Sequence, residues 1–249
     1  MGWDRQRATT VRYLIEGVTA DLRQRLRPDA HPPERRVYVM HIEKTGGTSL
    51  RYSLYARIDQ GSIFPNVYQE FARRTHVLWG EVEKKPDLIA PQTQLIMGHF
   101  GLRPVASLDP PPQVATFLRD PVSRMRSAID FNRQAGRRYD GLSIDEILAR
   151  HAWREGSMQA QAFGYDHDLD NIDEVIDNLR TVDFIGFFEH YQRDIARLSS
   201  FLDLAEPLPS VRRNVTGHKT EYSPEQLAEL ERLARPDRQL YDAAISMHN

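Results

Sequence analysis

The amino-acid sequence predicts an α/β fold of three layers: a central, mostly parallel sheet with helices on both faces. Apolar runs of strand length recur at Val37–Met40, Gln94–Met97, Val114–Leu118 and Asp183–Phe188, each too short for a stable helix. Segments with apolar residues three and four apart lie between them, and strands alternating with such helices build a parallel sheet. Two of the runs lead directly into a helix start, and open α/β sheets bind ligands at such corners. At 249 residues the chain has room for one large domain with a sizeable core.

Over 9–27, Val11, Leu14, Ile15, Val18, Leu22 and Leu26 stand three and four apart, which predicts an amphipathic helix. It packs on the main domain or, alternatively, joins two copies of the chain in a homodimer. Pro28, Pro32 and Pro33 end it, because proline lacks the N–H that a helix interior needs. The expected organisation is an N-terminal helix and proline-rich linker over 1–35, then a main domain over 36–249. The main domain opens with the strand Val37–Met40 and a helix from about Thr48 to Arg57, and Thr75–Trp79 reads as a strand. Gln94–Met97 is a buried strand ending at Gly98-His99-Phe100, Pro104–Pro112 a proline-rich connection, and Val114–Leu118 the next strand. A helix follows from Pro121 to about Arg133, with Pro121 at the first helical position and Asp120 at the N-cap. Val122, Met125 and Ile129 form its buried stripe, and Arg124 and Ser127 share another face with Asp120. Helices at Ile144–His151, Gly156–Phe163 and Ile172–Leu179, a strand at Asp183–Phe188, a helix at Glu189–Leu202 and a last helix from Pro224 complete the domain.

The first corner reads His41-Ile42-Glu43-Lys44-Thr45-Gly46-Gly47-Thr48-Ser49. Backbone N–H groups at such a turn, together with the positive end of the following helix, attract an anion. Gly46 and Gly47 carry no Cβ and let the main chain approach it closely. The loop reads as a phosphate or sulfate cradle. It is not a Walker A loop, whose lysine follows the last glycine; Lys44 precedes the pair and enters from the strand side. The second corner, directly after Val114–Leu118, reads Arg119-Asp120-Pro121-Val122-Ser123-Arg124-Met125-Arg126-Ser127.

Together the two corners resemble the cofactor signatures of the sulfotransferases that use 3′-phosphoadenosine 5′-phosphosulfate (PAPS). The likeness is closest to the carbohydrate branch, which includes the heparan 2-O-sulfotransferases. It extends more thinly from about residue 36 to 245, taking in Ile185-Gly186-Phe187-Phe188-Glu189 and Asp237 to Tyr241. The resemblance implies a P-loop-like form of the sandwich. It implies that Lys44, Thr45, Gly46, Gly47, Thr48 and Ser49 hold the 5′-phosphosulfate, and Arg119 and Ser127 the 3′-phosphate. The reaction implied is transfer of a sulfuryl group to a hydroxyl of a carbohydrate or other hydroxylated acceptor. Adenosine 3′,5′-bisphosphate (PAP) is then the product, and no metal is required.

Such a transfer needs a held donor, charge stabilisation on the leaving phosphate and a base for the acceptor hydroxyl. The Lys44 ammonium suits the oxygen bridging sulfur and phosphorus, where negative charge develops. Arg119 offers a planar fork for a phosphate and Ser127 a neutral donor. Thr48 and Ser49 also suit N-capping of their helix. His99, after a strand end and a glycine, is the expected base, since an unperturbed imidazole titrates near neutral pH; Gly98-His99 matches the pair that carries the catalytic histidine in the carbohydrate branch. His41 and Glu43 compete with His99 for the role of base, and the place of His41 in the strand reads rather as packing. Glu43 stands where the family usually has proline, and its carboxylate is expected to turn outward or to meet the acceptor. Arg212, Arg213 and Lys219 suit either a loop over an anion or a solvated surface, and Ser157 to Gly164 is expected to line the acceptor cleft.

Composition narrows the alternatives. Hydrophobic content of 40% and charged content of 27% are those of a globular protein. A net charge of −2 argues against general nucleic-acid binding. Six arginines against two aspartates from Arg119 to Arg138 make that stretch the natural place for anions, whereas Asp166 to Asp177 holds six acidic residues and no Lys or Arg. The chain has no cysteine, which excludes disulfides and thiolate-bound zinc. No run approaches the roughly 18 apolar residues of a membrane span, and the first residues lack a signal-peptide core. A cytoplasmic, bacterial relative of the family is expected. The competing readings are a P-loop-type small-molecule kinase and a catalytically idle binding module.

Overall fold

The computed structural model describes residues 12, 15–19, 34–66, 68–69, 79–85, 88–134, 136–167, 170–211 and 220–248. Its centre is a five-stranded sheet in which every pairing is parallel. The strands are β1 (Val37–Met40), β2 (Ile63–Phe64), β3 (Leu95–Gly98), β4 (Gln113–Leu118) and β5 (Phe184–Phe187), in the order β2-β3-β1-β4-β5. The α/β class expected from the alternating pattern is therefore the one observed.

Side chains alternate across the pleat, and the sheet is apolar on both faces. On one face Tyr38, Met40, Ile96, Val114, Leu118 and Ile185 pack with Phe163, Val175, Leu179 and Leu240. On the other Val37, Val39, Leu95, Met97, Ala115, Phe117 and Phe184 pack with Leu50, Leu54 and Leu198. Burying side chains of this size stabilises by about 1.5–3 kcal/mol each, and strands buried on both sides read as continuous apolar runs. That is why four of the five strands are visible in the sequence.

Helices fill the crossovers. Those that bear on the site are α1 (Gly47–Tyr55) and α2 (Trp79–Lys84), then α3 (Arg103–Ser107) and α4 (Pro121–Asn132). After them come α5 (Ile144–Arg150), α6 (Ala152–Gly156), α7 (Met158–Ala162) and α8 (Ile172–Arg180). The chain ends with α9 (Tyr191–Phe201), α10 (Pro224–Leu233) and α11 (Arg235–His248). A third apolar cluster joins Val122, Met125 and Ile129 of α4 to α5 and to Leu230 and Ala234, as the predicted stripe requires.

Four expectations need correction. The proline-rich connection contains α3, whose Pro104 occupies one of the first two helical positions, where proline is tolerated. Trp79, expected to end a strand, begins α2, and the rest of that expected strand lies outside the described residues. One 3₁₀ turn, Phe188–His190, separates β5 from α9. β2 was missed, because two residues are too few for any period to show. The expected N-terminal helix lies mostly outside the described residues. Among those described, 15–19 is helical, Ile15 and Val18 of the apolar stripe are exposed, and the Gly17 backbone packs on Tyr68. Among the described residues no helix is long and apolar enough to cross a membrane.

Register sets the site. Met40 of β1 pairs with Gly98 of β3 and Thr116 of β4, and Leu118 of β4 pairs with Phe187 of β5. The next residues along the four strands, His41, His99, Arg119 and Phe188, therefore emerge along one edge of the sheet. The chain moves from β1 to the β3 side, then crosses to β4. The crevice between β1 and β4 is thus a switch point of the kind that binds ligands.

Candidate functional site

The β1–α1 corner is a compact loop with two left-handed residues, Lys44 at φ 68° and Gly46 at φ 92°. Successive N–H groups in such a turn form an anion-binding concavity. A lysine there costs about 1–2 kcal/mol of backbone strain, and strain of this kind gathers at functional sites. The first intrahelical bond runs from Leu50 N–H to the Gly46 carbonyl at 3.0 Å. Gly46 is the N-cap, no side chain caps α1, and no acidic residue stands in its first turn. The positive end of the helix faces the crevice without an internal counter-charge. Thr48 and Ser49 lie inside the helix, so the N-cap alternative for them is corrected. Thr45 is buried and its hydroxyl donates to the Ile42 carbonyl at 2.9 Å. It braces the loop through that bond.

Each glycine also has a structural reason of its own. Gly46 needs its positive φ, and a Cβ there would stand 2.9 Å from the Phe188 ring. A Cβ on Gly47 would fall 1.6 Å from His41 Nε2. The His41 imidazole thus occupies the space where a side chain at 47 would go.

The β4–α4 corner is closed by its own residues. Asp120 accepts a hydrogen bond from Ser123 N–H at 2.9 Å and takes another from Arg238 at 2.8 Å, with Pro121 at the first helical position. These bonds and the Arg238 charge hold the Asp120 carboxyl below its ordinary range against the opposing effect of burial. Arg119 is held on four sides. The Gln159 side chain accepts from its N–H and donates to its carbonyl, both at 2.9 Å. Its guanidinium lies over the Phe188 ring, 4.4 Å from the centroid, and Nη1 donates to the Lys44 carbonyl at 3.0 Å. Nε is buried with no partner among the described residues. Arg119 forms no ion pair with the adjacent Asp120, which pairs with Arg238 instead.

Lys44 joins the corners from the other side. Its ammonium sits over the Phe131 ring of α4 at 4.0 Å, a cation–π contact, while Arg137 lies over the same ring at 3.7 Å. Burial, then Arg119 and Arg137, lower the Lys44 pKa, against the opposing charges of Glu43 and Glu155. Ser127 stands one turn before Phe131 on α4, and residues four apart share a helix face. The structure thus gathers Lys44, Arg119 and the face carrying Ser127 around one crevice.

His99 and His41 sit beyond the ends of β3 and β1. Phe100 folds back under β3, where a Cβ on Gly98 would lie 2.3 Å from its ring, and His99 is left exposed. The His41 and His99 rings are 4.1 Å apart between centroids. His41 Nδ1 is buried without a partner among the described residues. Burial first, then His99, Arg51 and Lys44, push the His41 pKa well below its ordinary value. Packing alone does not describe His41, because its ring also borders a cavity of about 480 Å³. That cavity is lined by His41, Glu43 and His99, and by Met158 and Gln161 to Gly164 from the segment expected at the acceptor cleft. Glu43 is exposed, in keeping with a carboxylate turned outward, and is among the residues that line the cavity.

Behind Arg119 lies a buried charge cluster. Arg124 is fully buried, 3.5 Å from Asp237 and 3.8 Å from Glu155, and it donates to the Glu155 carbonyl. Burial pushes the Asp237 carboxyl up to about 6 despite Arg124. Arg124, on the face expected to carry Ser127 and Asp120, is buried and supports the fold. Sequence reading assigned no such role to Phe131 and Phe188, whose rings hold the two cations, or to Gln159, which holds the Arg119 backbone. Phe188 follows β5 immediately and Phe131 follows Ser127 by one turn, and those positions were the available signals. Arg212, Arg213 and Lys219 lie outside the described residues.

No protein-family model matches the chain, and no curated protein matches it. Among solved structures it is similar to a sulfotransferase from Alicyclobacillus acidocaldarius, with 18% sequence identity and a TM-score of 0.47, over 84% of this chain and 94% of that one. A likeness that distant carries no functional argument.

Proposed function

We propose that this protein is a sulfotransferase that moves a sulfuryl group from PAPS to a hydroxyl of a carbohydrate or other hydroxylated acceptor. The observation that carries the reading is the bond from Arg119 Nη1 to the Lys44 carbonyl at 3.0 Å. Through it the two corners, far apart in sequence, form one anion site with a spare buried donor on Arg119. In this reading the uncapped start of α1 takes the 5′-phosphosulfate. Arg119 and Ser127 take the 3′-phosphate.

The acceptor oxygen attacks sulfur in line, the bond from sulfur to the phosphate oxygen breaks, and that oxygen keeps the electron pair. Lys44 meets the growing charge, and burial among positive neighbours makes its ammonium a readier proton donor to that oxygen. His99 takes the acceptor proton. His41, kept neutral by its surroundings, packs beside the base without adding a competing positive charge.

The test is turnover of PAPS in EDTA against turnover with added Mg²⁺. The reading expects activity to persist in EDTA, since Lys44 and the helix end supply the charge that a kinase draws from its metal. An absolute Mg²⁺ requirement, restored by titration, overturns it.

A further inference from the structure

Resting on the sulfotransferase reading, we propose that the acceptor is a small, uncharged and largely apolar alcohol or phenol, not an anionic polysaccharide. The cavity beside His99 holds about 480 Å³, a size that encloses one small molecule. Its wall is mostly apolar, with Ile42, Phe100, Leu102, Met158 and Phe163 among the lining residues.

The polar groups on the wall are largely committed elsewhere. Gln161 donates to Ser157 Oγ at 2.8 Å and Asn178 to the Phe163 carbonyl at 2.9 Å, while Arg103 pairs with Glu83. A sulfated or uronate-bearing chain needs cations to bind, and among the described residues the wall offers no lysine and one arginine, already matched by a carboxylate. It presents instead the exposed carboxylate of Glu43, next in sequence to the lysine proposed to meet the leaving group. An apolar body fills such a wall without stranding polar groups, whereas a sugar would leave most of its hydroxyls unmatched. An anionic acceptor would also meet the repulsion of Glu43 on the way to His99.

In the step assigned, the acceptor hydroxyl oxygen forms a bond to sulfur as the bond from sulfur to the 5′-phosphate oxygen breaks. The proton passes to His99, and the products are a sulfate monoester and PAP.

The experiment compares 2-naphthol with a glucuronate-containing disaccharide as acceptors for PAPS, beside calorimetric binding of PAP. The expected result is kcat/KM for 2-naphthol at least tenfold higher, with Glu43→Gln narrowing the gap by about two- to fivefold. Ala162→Phe, which fills the cavity, is expected to abolish 2-naphthol turnover and keep PAP affinity. Should that variant fail to fold, the wild-type protein still answers: 2-naphthol is expected to shift the NMR signals of the His41 and His99 rings, and the disaccharide is not. PAP binding with the disaccharide preferred overturns this inference and leaves the sulfotransferase reading standing. Failure to bind PAP, with 2-naphthol still shifting both histidines, overturns the sulfotransferase reading and leaves the apolar cavity as a binding site.

Discussion

The two corners that frame the crevice start helices in opposite ways. α1 begins at a left-handed glycine, with no side-chain cap and no acidic residue in its first turn. α4 begins at Asp120, which caps Ser123 and is itself held by Arg238, with Pro121 next. In the proposed reading the first corner leaves its helix end to the 5′-phosphosulfate. The second spends its N-terminus on its own carboxylate, so an anion there must be met by side chains, Arg119 and Ser127. The proposed site thus joins a backbone cradle to a side-chain clamp.

The largest effect expected leaves both corners untouched. His99→Ala should lower the chemical rate about 10²–10⁴-fold and hardly change PAP affinity. The acid limb of the wild-type pH–rate profile should vanish with it. His41, pushed well below the ordinary histidine value, is neutral there and does not supply that limb. Stopped-flow turnover across pH checks this; a mutant that keeps both rate and limb removes His99 as the base.

Next comes the cradle. Gly47→Ala forces a Cβ to within 1.6 Å of the His41 ring, and overpacking of this kind costs about 1–3 kcal/mol. Denaturant unfolding should show the loss, and adding His41→Ala should recover much of it because the clash is removed. If the double variant is no more stable than the single one, the glycine is required for another reason.

A smaller effect belongs to the clamp. Asp120→Ala removes the cap of α4 and should cost about 1 kcal/mol of stability, again read by unfolding. Donor affinity should not fall, since the Asp120 oxygens are bonded to Ser123 N–H and to Arg238 and not to Arg119. A clear loss of PAP affinity would mean that the second corner is not divided as described.

The sheet was legible because both of its faces are buried, which turns each strand into an apolar run. β2 escaped notice because its two residues carry no pattern, and α3 because its proline looked like a breaker when it stood at a helix start. The candidate site was legible as residue types at two corners. What escaped was their mutual support: His41 filling the place of a side chain at Gly47, Phe188 under Arg119, and Phe131 under Lys44. Those contacts arise from strand register and helix placement, which bring distant segments together without leaving a local pattern.

The division of labour between the corners is tested most directly by titrating Arg119→Ala with two ligands in a calorimeter, PAP and adenosine 5′-phosphosulfate, which lacks the 3′-phosphate. The account predicts a loss of about 1.5–3 kcal/mol for PAP, as for a charge-assisted hydrogen bond, and little change for adenosine 5′-phosphosulfate. Equal losses for both ligands would contradict it, because Arg119 would then be supporting the Lys44 loop rather than reading a phosphate of its own.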